Sequence, residues 1–128
     1  MNNDLIHSII NLSYSISHEM KHSWKHCSFI CRRNSIISIG RNIPFKSHPI
    51  AKQFSYRYNS IHSELNAILN FNYPIRDLYK YYIVNTRIGR NNEIKLSKPC
   101  TNCQKLLYAF HIKEIWYTTT TGQFIRQV

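Results

Sequence analysis

Apolar residues recur at Leu5, Ile6, Ile9, Ile10, Ser13 and Ile16 with helical spacing, so the chain is expected to open with an amphipathic helix ending near residue 20. Two short strands are expected at about 27 to 33 and 35 to 40, joined by a tight turn at Arg33-Asn34. The polar run Asn59-Ser60-Ile61 leads into Leu65, Ile68 and Leu69, which predicts a capped helix over about 60 to 71. Tyr81 to Thr86 reads as a buried central strand. Pro99 suits the first position of another helix, whose apolar stripe runs through Leu106, Leu107 and Phe110. A strand over 112 to 118 follows. Thr119 to Gly122 is too short for a crossover helix, so Gln123 to Gln127 should return as an antiparallel fifth strand.

Two of these helices begin with residues that carry chemistry. His62-Ser63-Glu64 opens one and Lys98-Pro99-Cys100 with Cys103 opens the other. One imidazole, two thiolates and a free carboxylate are the inventory for a zinc ion with three protein ligands and an adjacent proton carrier. Four protein ligands would close such a site, whereas three leave a position for water. Cysteines at a helix N-terminus meet the positive end of the helix dipole, which favours thiolate over thiol. Together with a neutral imidazole they bring the charge around Zn²⁺ to about zero, so a bound water needs a nearby base; Glu64 has the chemistry to take its proton.

His62-x-Glu64 and Pro99-Cys100-x-x-Cys103 match the signature of zinc nucleobase deaminases. The chain resembles the cytidine deaminase-like superfamily, and from about Lys21 to Val128 it is most similar to small deoxycytidylate deaminase-like proteins of viruses and phages. Gly40-Arg41-Asn42 after a strand and Ile112-Lys113-Glu114-Ile115-Trp116-Tyr117 add to the resemblance. It implies a three-layer α/β fold, a mixed five-stranded sheet flanked by helices with its last two strands antiparallel. It also implies Zn²⁺ held by His62, Cys100 and Cys103. Glu64 would be the proton shuttle, with hydroxide attacking C4 of cytosine to give uracil and ammonia. Asn42 would bond the sugar or base, and the backbone N–H of Ser63 would meet the base carbonyl. The superfamily more often has alanine at the place of Ser63, whose hydroxyl would then be added to the pocket wall. Trp116 or Tyr117 could wall the base site, and strand alternation allows one of them to face it.

Rival motifs are weaker. His18-Glu19-Met20-Lys21-His22 is a literal H-E-x-x-H, but charged Lys21 sits where zinc-protease helices are usually apolar. Cys27 and Cys31 fall in an expected strand, too far apart to chelate one ion readily, and read as buried free thiols.

Composition then bounds the setting. A chain of 128 residues with 43% hydrophobic content suits one domain, here a single zinc-dependent deaminase domain over 1–128. Asp4 where a signal peptide would be basic, and polar residues interrupting Leu5 to Ile16, argue against a signal peptide. No apolar stretch is long enough to span a bilayer, and four cysteines with two required as ligands suit a reducing intracellular compartment, cytoplasmic or nuclear in a host cell.

Charge bears on the substrate. The net charge is +11 and the pI about 9.8. No acidic residue lies between Glu19 and Glu64, while Lys21, Lys25, Arg32, Arg33, Arg41, Lys46, Lys52 and Arg57 all do. Trp24, Phe45, His48, Phe54, Tyr56 and Tyr58 are interleaved with them. Cations that follow phosphates and rings that stack bases suit a single strand. Arg41, Phe45, Lys46, His48, Lys52, Tyr56 and Arg57 are the candidate contacts, and single-stranded DNA or RNA is the favoured partner. A free (deoxy)cytidine nucleotide is the alternative, since one or two of these cations would satisfy its phosphate. A reading of another class, a non-catalytic zinc-stabilised nucleic-acid-binding module, leaves Glu64 without a task.

Overall fold

The computed structural model describes residues 1–21, 25–54 and 60–127. The opening helix, α1 (Asn3–Glu19), is capped by Asn2, whose side-chain oxygen accepts from the backbone N–H of Leu5 at 2.8 Å. Its buried face is Leu5, Ile9, Ser13 and Ser17, a row at fourfold spacing. The helix ends at Glu19 and Met20 is extended, so His18 and Glu19 are not continued helically toward His22, which lies outside the described residues. The H-E-x-x-H match therefore lacks its helix.

Strands β1 (Lys25–Arg32) and β2 (Ser35–Arg41) form the expected hairpin, turning at Arg33 with φ 55°. Beyond β2, a two-residue strand β3 (Ile43–Pro44) leads to the short helix α2 (Pro49–Gln53). Strand β4 (Ser60–Ile61) pairs antiparallel with β3 and runs into helix α3 (Ser63–Leu69). A 3₁₀ turn over Ile75–Lys80 feeds the central strand β5 (Tyr82–Ile88), followed by helix α4 (Thr101–Ala109) and strands β6 (Glu114–Thr118) and β7 (Phe124–Arg126).

The main sheet has the order β2-β1-β5-β6-β7. Strand β5 is antiparallel to β1 and parallel to β6, and β7 returns antiparallel to β6 as the short Thr119–Gly122 connection requires. Strand alternation divides the core into two layers. Cys27, Phe29, Cys31 and Val84 pack against Leu5 and Ile9 of α1. On the other face Ile30, Ile83 and Ile115 pack against Leu65 and Ile68 of α3 and Leu106 and Leu107 of α4. The result is the three-layer mixed-sheet fold expected from the sequence. Among the described residues, no helix is long and apolar enough to cross a membrane.

Two helix starts differ from expectation. Ser60 and Ile61 are not capping residues but strand, because their backbone groups pair with Ile43 and Pro44, and the N-cap of α3 is His62. Likewise Pro99 precedes the N-cap of α4, which is Cys100.

Cys27 and Cys31 are free and fully buried, and burial pushes both thiols from the ordinary 9.0 up to about 12. A folded-state pKa above the unfolded value gives stability that is whole below about pH 9 and is lost as pH rises through about 12. Chemical denaturation from pH 8 to 11 should therefore show the parent losing stability more steeply than a Cys27→Val, Cys31→Val variant, by on the order of 2 kcal/mol for each thiol. Parallel curves would contradict the assignment.

Candidate metal centre

The site forms where α3 and α4 begin. His62 follows β4 and takes the N-cap position of α3 without a side-chain cap bond, while Cys100 caps α4 and places Cys103 one turn along. The Cys100 sulfur accepts from the backbone N–H of Cys103 at 3.4 Å, so the thiol serves as the helix cap. His62 Nδ1 lies 3.2 Å from Cys103 Sγ and 3.8 Å from Cys100 Sγ. The three donor atoms all lie within 4.8 Å of one another. A tetrahedral zinc with Zn–S near 2.3 Å and Zn–N near 2.05 Å places its N and S ligands about 3.6 Å apart, so the observed separations bracket that edge.

Electrostatics suit a cation. The Cys100 thiol falls from 9.0 to about 4, chiefly through the hydrogen bond from the Cys103 thiol, with His62 adding to it and burial opposing. Burial works against a proton on His62, yet its hydrogen bond with Cys100 and the charges at Glu64 and Cys100 raise its pKa overall. An acidified thiol beside a second sulfur and an imidazole is a donor set that suits a divalent metal.

Glu64, one residue into α3, is 5% exposed and is gripped at both oxygens. The Ser63 hydroxyl donates to Oε1 at 3.2 Å and Asn85 Nδ2, from the centre of β5, donates to Oε2 at 2.9 Å. Ser63 is buried, and its hydroxyl does not line an open pocket wall: it sits 2.7 Å from the Ser28 hydroxyl on β1.

A scan against family models matches residues 4–119 to the cytidine and deoxycytidylate deaminase zinc-binding region. The chain belongs to that family. It is a zinc-dependent deaminase of the cytidine and deoxycytidylate type, and Zn²⁺ is its cofactor. Among solved structures it is similar to the dCMP deaminase of the cyanophage S-TIM5 in apo form, with a TM-score of 0.57 at 15% identity, covering 93% of this chain and 86% of that one. The same phage enzyme in complex with dCMP and dUMP gives a TM-score of 0.57 at 13% identity, covering 93% of this chain and 84% of that one. No curated protein matches significantly. At these identities the structural likeness speaks for the fold.

Other expected site residues of the deaminase are distributed unevenly. Asn42 is fastened to β1: its side-chain oxygen accepts from the His26 N–H at 2.8 Å, two residues from Ser28. Tyr117 is the register partner of Asn85 and, two residues on, shares the face of core-facing Ile115, so it stands on the sheet face that carries Glu64's partner. Trp116 does not. It packs on the α1 side and its indole N–H donates to Glu114 at 2.9 Å, which corrects its expected place beside the base.

Of the basic and aromatic segment, Arg41 forms an ion pair with Glu19 at 3.7 Å and His48 Nδ1 caps α2 by accepting from Ile50 N–H at 3.1 Å. Phe45 is 93% exposed with φ 60°, and Lys46 and Lys52 are exposed beside it in sequence. Trp24, Tyr56, Arg57 and Tyr58 lie outside the described residues. Asn85, Ser28 and Ser97, which the motifs do not include, were visible in sequence as polar interruptions of strand and pre-helix segments destined for burial.

Proposed function

We propose that the protein hydrolyses the exocyclic amine of cytosine in a free pyrimidine nucleotide, giving the uracil nucleotide and ammonia. The observation that carries this reading is the buried carboxylate of Glu64, two residues from His62 at the start of the helix whose N-cap position His62 takes. His62, Cys100 and Cys103 would hold zinc, with the remaining position left to water. When bound there, zinc supplies the Lewis acidity that makes water nucleophilic near neutral pH. Glu64 accepts a proton from the attacking water and returns protons to ring N3 and to the departing amine, so that water and cytosine balance uracil and ammonia. The backbone N–H of Ser63, Asn42 and Tyr117 are assigned to the base and sugar, on the face shared with Asn85.

A nucleotide of this kind is what the phage enzyme of similar fold holds, as dCMP and dUMP. Two side chains expected to guide a strand have partners of their own, Arg41 in an ion pair with Glu19 and His48 as a helix cap. The exposed Phe45, with Lys46 and Lys52, favours a second reading in which cytosine enters from single-stranded nucleic acid.

Zinc-loaded protein assayed side by side on deoxycytidylate, deoxycytidine and a cytosine-bearing single strand is expected to convert deoxycytidylate with kcat/KM at least about tenfold above the strand. Conversion of the strand alone would put the second reading in its place. Turnover of none of the three would overturn both.

A further inference from the structure

The buried polar residues behind Glu64 form one connected set. Ser28 Oγ donates to Asn85 Oδ1 at 2.7 Å and lies 2.7 Å from Ser63 Oγ, while Asn85 Nδ2 donates to Glu64 Oε2 at 2.9 Å and points at the Ser97 carbonyl at 3.5 Å. Ser97 Oγ in turn donates to the Asn85 carbonyl at 2.8 Å, which ties the segment before Cys100 to the same strand. Ser28, Ser63, Asn85 and Ser97 are all at most 3% exposed.

The donors and acceptors fix how this set is wired. A carboxylate oxygen and a main-chain carbonyl can only accept, so the atom of Asn85 that faces both must be the amide nitrogen. Its oxygen then faces Ser28, which must donate. That leaves the Ser28 oxygen free to receive the Ser63 proton. The single Ser63 proton therefore has two acceptors in range, Ser28 at 2.7 Å and Glu64 Oε1 at 3.2 Å. Rotation of one hydroxyl moves it between them with no heavy atom displaced.

We propose that Asn85, braced by Ser28, is the positioning residue that fixes the Glu64 carboxylate. The inference rests on the reading of Glu64 as the proton carrier. Asn85 sits on the middle strand of the sheet, with β1 on one side and β6 on the other, whereas Glu64 hangs from the first turn of a seven-residue helix. The rigid element thus holds the group that must be placed within a fraction of an ångström.

The test compares four zinc-loaded variants by kcat, KM, zinc content and thermal midpoint. Asn85→Asp keeps the shape and the acceptor toward Ser28 but removes the N–H. It is expected to lower kcat about 10²-fold with KM within about threefold, per zinc-loaded molecule. Asn85→Ala should lose a similar factor. Ser28→Ala leaves the amide in place and should lose about tenfold or less, and Glu64→Gln marks the floor. A structural role alone would move zinc content and thermal midpoint while sparing kcat per loaded site. Zinc-loaded Asn85→Asp and Asn85→Ala turning over within twofold of the parent, with Glu64→Gln inactive, would overturn this inference and leave the proton-carrier reading intact. Activity in Glu64→Gln would overturn that reading itself.

Discussion

Gly40→Ala is expected to unseat α3 and, with it, both His62 and Glu64. A Cβ on Gly40 would lie 2.2 Å from the backbone N of Ala67 and 2.2 Å from the carbonyl oxygen of Ser63, and 2.7 Å from Ala67 Cα. These are backbone atoms, so no side chain can swing aside to relieve them. Strand β2 and α3 are also laced together across this contact. The Ser38 hydroxyl donates to the Ala67 carbonyl at 2.7 Å, the Arg41 N–H to the Asn66 side-chain oxygen at 2.9 Å, and the Asn70 amide to the Ile39 carbonyl at 2.9 Å. Moving the helix to admit a methyl group would strain or break these bonds together. The expected cost is about 3 kcal/mol of stability, from overpacking at a site that cannot yield. For a domain of this size that corresponds to roughly 10 °C in thermal midpoint. Because α3 carries Glu64, the proposed proton carrier, turnover of the folded fraction should fall by about 10²-fold as well. Thermal unfolding and initial rates on the same preparation measure both. A variant with parent-like midpoint and rate would show that α3 is not seated on β2 as closely as described.

The second large effect concerns Glu64 itself. Both carboxylate oxygens are hydrogen-bonded in a buried setting, one to Ser63 and one to Asn85. Glutamine has nearly the same shape but cannot accept and return a proton. Removal of a positioned acid-base group costs about 10² to 10⁴-fold, and a group that acts at more than one step belongs at the upper end of that range. Zinc retention should be unaffected, since the donor atoms proposed for it belong to His62, Cys100 and Cys103. The corresponding loss of metal belongs to Cys103→Ala instead.

Most of the architecture was legible because it is locally written. The period of α1, the two-residue turn at Arg33-Asn34 and the short Thr119–Gly122 connection each depend on residues near one another, and all appear as expected. The helix starts were displaced by partners remote in sequence. Ser60 and Ile61 precede the helix, yet Pro44 and Ile43, sixteen and eighteen residues earlier, claim their backbone groups as strand. Trp116 and Tyr117 could not be separated by sequence, since alternation says that one faces the site but not which. The register of β6 on β5, pairing Tyr117 with Asn85, puts Tyr117 on the face that carries Glu64's partner. The metal ligands were readable from their spacing, whereas the residues that hold Glu64 come from β1, α3 and β5 and meet through the tertiary fold.

The most direct test of the account is the release of ammonia from deoxycytidylate by zinc-loaded protein, with Glu64→Gln at equal zinc content as its pair. The account predicts steady turnover by the parent and a rate lower by about 10³-fold or more in the variant. Equal rates in the two, or no conversion of any cytosine compound by fully loaded parent protein, would contradict it.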